Sequence, residues 1–594
     1  MIPSRLQALR QIMQEKHIDI YMIPTADPHE SEYPGPHFWA RRYMTGFTGS
    51  AGTAVITMEE AGLWTDGRYF IQAEGQLAGS GVTLYRMGEE GVPTVSEFIG
   101  KKIPQGGCLG FDGRTVNMAL CEKLEKAIEG KSGTIYNKED LVDLIWTDRP
   151  AMSHEPAFLL GEQYSGRSAA DKIAQVRKVM EEKKAEAHII TTLDDVCWLF
   201  NVRGNDAPHF PIVLSFAVLT MDQCCFFVQD GVLNEEIREY LEKNNVTVMK
   251  YEDIYAYVAS LQAKRVLLDQ KNVNSLLVKS LPEGCTVINA QNPTILMKAI
   301  KNPVELDNII KAHVKDGVAF TKFMYWLKTG IGKLPLTEIT ATERLEEFRR
   351  EQGAIDISFD TICAYEDHAA MMHYSATPKS DVILQKKGLL LVDSGGHYME
   401  GSTDITRTMA LGPVTDQQKR HFTAVLIANL NLASAKFLYG CCGYNLDVLC
   451  RGPIWDMGLD YKCGTGHGVG YLLSIHEPPN GFRWRGVPER IDGATMEEGM
   501  VTTDEPGIYL EGKYGIRTEN ELICRKAEKN EYGQFMEFQN ITYAPIDLDA
   551  VDEQYMTALD KERLNRYHKM VYDTLAPYMT EQELEWLKHY TRPI

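Results

Sequence analysis

Two stretches in the last third of the chain read as β-hairpins that begin and end on carboxylates, and any fold must accommodate both. In Asp393-Ser-Gly-Gly-His-Tyr-Met-Glu-Gly-Ser-Thr-Asp404, the runs LLLVD and DITRTM flank a glycine-containing turn. A reversal near Tyr398 and Met399 sets Asp393 opposite Asp404. In DEPGIYLEGKYGIRTEN, a reversal at Gly512 sets 509 against 515, 507 against 517 and Glu505 against Glu519. Alternate strand residues share a face, so each register decides which side chains meet. Acidic hairpin residues are ordinarily solvated. These two pairs differ, because Asp393 follows Leu389-Leu390-Leu391-Val392 and Glu505 closes the run from Met500 to Asp504. A carboxylate ending a buried strand is costly without a partner, and a metal ion is one of few partners that suffice.

Between the pairs lies His467, in the glycine-rich run CGTGHGVG. Four carboxylates and an imidazole form a hard oxygen and nitrogen set, suited to two Mn²⁺, Fe²⁺, Co²⁺ or Zn²⁺ ions. Coordination lowers the pKa of water from near 16 toward ~7, giving a hydrolytic nucleophile without a serine or cysteine. Glu505 is placed to ligate and also to shuttle a proton. His373, in AAMMHYSATP, and His476, in LLSIHEPP nine residues beyond His467, are candidates for donating a hydrogen bond to a developing oxyanion. Arg517, two residues before Glu519, can hold a ligand carboxylate by bidentate pairing or bind a substrate carboxylate, the former being the expected role. WTDGRYF around Arg68 reads, on sequence alone, as a structural turn.

Other chemistries find little support. No HExxH, Walker A loop or GxSxG elbow occurs, and the glycines of CGTGHGVG miss the dinucleotide spacing. The formal net charge of −20 argues against nucleic-acid and anionic-membrane partners. No apolar run reaches the ~18 residues that span a bilayer, and the N-terminus reads as an amphipathic helix and a strand, not a signal peptide. The twelve cysteines are scattered without a CxxC pair, as expected of reduced thiols in the cytoplasm.

At 594 residues the chain should form three or four domains. Residues 1–154 mix strands (IDIYMIP, GTAVITM, AGLWTDGRYFIQAE, GVTLYRM) with helices (VPTVSEFIGKKI, NMALCEKLEKAIEG). Residues 155–302 repeat that plan, giving two similar α/β domains. From 303 a long helix opens at Pro303 and closes at Gly330, a second helix follows, and the ligand-bearing strands come next, an α+β arrangement. Two amphipathic helices end the 303–594 segment.

The blocks DSGGHYMEGSTDITRT, GTGHGVGYLLSIHEPP and TTDEPGIYLEGKYGIRTEN resemble the metal-binding blocks of Xaa-Pro aminopeptidases (aminopeptidase P). These belong to the pita-bread metallopeptidases, with prolidase, methionine aminopeptidase and the metal-free creatinase. FTGSAGTAVIT, WTDGRYFIQAE, IWTDRP, LDDVCWLFNVRG and the tail ELEWLKHYTRPI extend the likeness along the chain, in the manner of the three-domain cytosolic form. The resemblance implies two creatinase-like N-terminal domains and a C-terminal pita-bread domain. It implies that Asp393, Asp404, His467, Glu505 and Glu519 bind two divalent ions, usually manganese, with Asp404 and Glu519 bridging. It matches His373 and His476 to catalytic histidines and Arg68 to a substrate-contacting arginine. The implied reaction removes an N-terminal residue that precedes proline in a peptide, and the implied assembly is a homodimer. Prolidase, restricted to X-Pro dipeptides, is the nearest alternative, followed by a non-catalytic peptide-binding module of the same fold. One position departs: many relatives carry HGTGH where this chain has Cys463 in CGTGH. The position lines the substrate site in those relatives and does not bind metal, so hydrolysis should survive, and the soft thiol suggests sensitivity to oxidation.

Overall fold

The computed structural model describes residues 2–486 and 492–594. They form two compact units, one running to Gly161 together with Arg167–Thr294, the other made of Glu162–Gly166 and Ile295–Ile594.

The first unit contains the same six-stranded sheet twice. One sheet has the order Thr83–Arg86, Ala61–Thr65, Thr53–Thr57, Ile20–Pro24, Cys108–Gly110, Thr134–Tyr136. The other has Thr247–Lys250, Cys224–Val228, Ser215–Thr220, Ala187–Ile190, Arg265–Leu268, Thr286–Asn289. In both, the fourth strand pairs antiparallel with the third and parallel with the fifth. The expected repeat is therefore a repeat of topology as well as of element type. One element differs from expectation: AGLWTDGRYFIQAE is strand only over Ala61–Thr65 and turns into a helix, Phe70–Leu77. Phe70, Ala73 and Leu77 are its buried residues, and that spacing of three and four is a helical face rather than an alternating one.

In the second unit, helix Pro303–Gly330 starts where Asn302 accepts hydrogen bonds from the Val304 and Glu305 amides and Glu305 reaches back to the Asn302 amide. With Pro303 at the first turn, this is a complete capping box. Helix Glu338–Glu351 packs on it, and three antiparallel strands follow: Ile362–Tyr365, Leu389–Ser394 and Ile405–Ala410. A second helix pair, Asp416–Ala433 and Gly443–Trp455, precedes a six-stranded antiparallel sheet that contains Gly466–Gly468, Val501–Asp504 and Asn520–Asn530. The candidate ligands lie on or just beyond strands of these two sheets. Leu390 and Val392 pack into the same core as Phe320, Phe323 and Met324 of the long helix, which fixes the strand ending at Asp393 and Ser394.

Candidate metal centre

The two hairpins differ in how closely they follow the expected registers. Gly507–Leu510 pairs with Tyr514–Arg517 through 507 with 517 and 509 with 515, turning at Gly512, which sits at φ +67°. Glu505 and Glu519 flank the open end of this hairpin. In the first hairpin Asp393 pairs with Thr406, not Asp404. The tip is Met399-Glu400, because Gly396–Tyr398 and Gly401–Ser402 add a small hairpin of their own, with Tyr398 opposite Gly401. The correction is a shift of two residues. Side chains alternate with period two, so Asp404 keeps the parity of Thr406 and stays on the Asp393 face.

Asp404, His467 and Glu519 each present a ligand atom within 4.8 Å of the others. Among the described residues, no other cluster of three or more His, Cys, Asp or Glu side chains has that geometry. His467 Nε2 lies 3.5 Å from Asp404 Oδ2 and 3.7 Å from Glu505 Oε1. Asp393 is gripped by the Arg517 guanidinium, and its Oδ1 is buried without a hydrogen-bond partner among the described residues.

The electrostatics are those of a site built for cations. Burial, with the charges of Asp393 and Glu505, pushes the Asp404 carboxyl up to about 7. Burial and then Asp404, Asp393 and Glu505 push Glu519 well above the carboxylate range. Burial alone would lower His467, but Asp404 and Glu505 overcome it and raise the imidazole to about 9. Carboxylates crowded without enough countercharge take up protons, and a metal ion replaces those protons. The orphaned Asp393 oxygen, the clustered hard donors and the raised carboxyls together fit divalent cations.

Several supporting side chains escaped sequence reading. Thr406 donates to Glu519 Oε2 at 2.7 Å. Glu521 Oε1 accepts from the Asp404 amide at 2.7 Å and lies 3.0 Å from His313 Nε2, in the long helix. Thr406 and Glu521 each lie two residues beyond a ligand candidate, so strand periodicity was the available signal; nothing in the sequence pointed to His313. The glycines of the His467 run are required by close approach. A β-carbon at Gly466, Gly468 or Gly470 would overlap the carbonyl oxygens of Thr503, Glu477 or Ser474 respectively. The middle of this run, Gly466–Gly468, is a strand of the sheet.

The remaining candidates are distributed as follows. The His476 ring stands edge-on to the His467 ring, centroids 4.3 Å apart. His373 is half-buried beside Met372, whose carbonyl accepts from Arg517. Arg517 donates to Asp393, to the Tyr509 hydroxyl and to Thr406, so its guanidinium is engaged in holding the site. Arg68 belongs to the first unit, where Asp66 chelates it through Nε and a terminal nitrogen at 2.8 and 2.9 Å. Burial, reinforced by Glu505, pushes the Cys463 thiol up to about 11. A thiol held mostly protonated reacts slowly with peroxide, and Cys463→Ser tests its part: unchanged peroxide sensitivity means that this thiol is not the target.

Four family models cover nearly the whole chain. Two Creatinase/Prolidase N-terminal domain models match residues 5–145 and 148–305. The metallopeptidase family M24 model matches 307–526, and the C-terminal region of peptidase M24 matches 534–594. A Neurospora crassa protein named "Probable Xaa-Pro aminopeptidase P" is 37% identical over 99% of this chain and 89% of its own length. One of the same name from Pyrenophora teres f. teres is 37% identical over 99% and 92%. The chain belongs to the Xaa-Pro aminopeptidase P branch of metallopeptidase family M24. A solved aminopeptidase of this branch, the X-prolyl aminopeptidase from Caenorhabditis elegans, superposes with a TM-score of 0.94 at 31% identity, covering both chains completely. It is described as a cytosolic enzyme with a di-nuclear active site. The M24 assignment accounts for the fold: creatinase-like α/β repeats followed by a pita-bread domain, α+β overall.

Proposed function

We propose that this chain is a dinuclear metalloaminopeptidase that hydrolyses the bond between an N-terminal residue and a following proline in peptides. The observation that carries this is the Asp404–His467–Glu519 cluster, its carboxylates buried and its imidazole half-buried, with Glu505 beside it. Asp393, Asp404, His467, Glu505 and Glu519 would hold two divalent ions; the donor set accepts several, and manganese is the ion the family resemblance implies. When bound, such ions supply an acidified water and polarise the peptide carbonyl.

The protein's own groups handle the rest of the chemistry. The X–Pro bond lacks an N–H, and cleavage expels a prolyl nitrogen that must take a proton. Glu505, half-buried with Thr503 Oγ1 3.4 Å from its Oε1, is placed to take a proton from the attacking water and deliver it to that nitrogen. His476 and His373 are proposed to donate hydrogen bonds to the oxygen that becomes negative as the carbonyl turns tetrahedral. Arg517 keeps Asp393 oriented, and the ligand-holding role is the one we propose for it. Arg68 is proposed as the first unit's substrate contact, on the strength of the sequence resemblance.

With manganese-loaded protein, an X-Pro-Y tripeptide should yield free X and intact Pro-Y, and chelator should abolish the reaction. Cleavage of an X-Pro dipeptide alone would make it a prolidase, and no cleavage with metal bound would favour a peptide-binding module. A cytoplasmic location is supported by twelve cysteines that are all free. No helix among the described residues is long and apolar enough to cross a membrane. A homodimer is supported by an apolar patch on the second unit: Val448, Leu449 and Trp455 of one helix are exposed, with Trp484 6.1 Å from Trp455. Sedimentation should give about twice the 67.1 kDa of the chain; the monomer mass would overturn this.

A further inference from the structure

Directly after His476 comes a charge that the chemistry above does not use. Glu477 is 2% exposed, and its carboxylate forms an ion pair with Lys301, 3% exposed. Removing both charges from water is expensive, and an apolar pair of similar size is often as stable or more so. The best-attested use of such a pair is to fix one arrangement among several that packing alone would permit.

The surroundings indicate which arrangement is fixed. Ile475 and Glu477 are buried while His476 between them is half-buried, at the bend that leads into strand Glu477–Phe482. His476 meets the His467 ring, and Glu477, the next residue, meets Lys301. Glu477 also stands opposite Gly468, immediately after His467, where the strand pairing is irregular. Apolar packing specifies register poorly at such a break. Lys301 is itself immobilised. Its amide donates to the Gly499 carbonyl at 3.2 Å. Gly499 sits at φ +95°, where a β-carbon would come 2.7 Å from the Lys301 carbonyl oxygen. Gly499 immediately precedes the run from Met500 to Glu505, and Lys301 precedes the cap of the long helix by one residue. One lysine thus ties the segment bearing His476 to the backbone leading to Glu505.

We propose that Glu477 and Lys301 are positioning residues for hydrolysis, setting the height and orientation of His476 against His467. This rests on the reading of His476 as a hydrogen-bond donor to the reacting carbonyl. The test compares wild type, Lys301→Met, Glu477→Gln and the double variant on an X-Pro-Y tripeptide, with bound metal and melting temperature measured on the same preparations. Each single variant strands one buried charge and is expected to melt lower. The double variant strands none and is expected to recover most of that loss. If the pair positions His476, kcat of the double variant stays about 10–100-fold below wild type, with KM within twofold and metal content unchanged. A kcat that recovers along with melting temperature, or a double variant that has lost metal, would overturn the proposal. Should the single variants fail to fold, the double variant still decides. A wild-type protein that leaves the tripeptide intact would count against the function proposed above, not against the ion pair.

Discussion

Asp404→Asn is expected to abolish turnover while making the metal-free protein more stable. The Asp404 carboxyl is raised to about 7 in the folded chain, against 3.8 for an unperturbed aspartate. Between those values the folded state binds the extra proton, so the group contributes stability that is complete below pH ~4 and is lost as pH rises through about 7. Each pH unit of displacement is worth about 1.4 kcal/mol. At pH 8 chelated wild type therefore carries a charging penalty, offset in part by the protonated His467 beside it, which an uncharged asparagine does not incur. The variant's chelated form should melt about 2–5 °C higher than chelated wild type at pH 8, with the gap closing toward pH 4. Manganese should raise the melting temperature of wild type and leave the variant nearly unmoved. Losing a carboxylate proposed to hold the metal ions should remove ~4 kcal/mol or more of transition-state stabilisation, so kcat should fall at least about 10³-fold. Equal melting of the two chelated proteins at pH 8 would show that the cluster is not strained by its own charge.

The second large effect is expected from a single methyl group. In Gly466→Ala the new carbon would overlap the Thr503 carbonyl and crowd the Phe482 ring, and neither a backbone carbonyl nor a buried ring can yield. The strand must shift outward, at a cost of about 1–3 kcal/mol or more, and His467 moves with it. A displacement of ~1 Å at a ligand is worth about 10² in rate. The variant should bind metal more weakly and lose at least about 10²-fold in kcat/KM. Gly75→Ala is the control: it lies inside helix Phe70–Leu77 with nothing near its missing β-carbon, so the same substitution there should be neutral or slightly stabilising. Full activity in Gly466→Ala would mean the strand tolerates a displacement that the close approach forbids on steric grounds.

How far the site could be read from sequence depended on how local its determinants are. The Glu505–Glu519 hairpin was legible because Gly512 marks its turn and both arms alternate cleanly around it. The Asp393–Asp404 hairpin was misread by two residues, because Gly396, Gly401 and the polar residues between them allow several reversals of nearly equal quality. The misreading left the ligand face intact only because the error was even. Thr406 and Glu521 were hidden among ordinary strand residues, and His313 is brought in by a helix whose sequence says only that one face is buried. Lys301 and Glu477 lie 176 residues apart and meet through the tertiary fold alone. The helix at Phe70 was lost to a strand reading because aromatic and β-branched residues favour strands, while its burial follows helical spacing.

The twin sheets of the first unit share one strand order, so a turn after a strand of one has a counterpart after the matching strand of the other. The turn Asp66-Gly67-Arg68 follows the second strand of its sheet order, and the corresponding strand of the other sheet, Cys224–Val228, runs into Gln229-Asp230-Gly231-Val232. The two turns share the Asp-Gly step, but only the first continues to a guanidinium. A duplicated scaffold can thus hold one copy constant as architecture while the other acquires a charged tip. On the substrate role proposed for Arg68, a change of preference made at that turn leaves the second copy's core residues untouched.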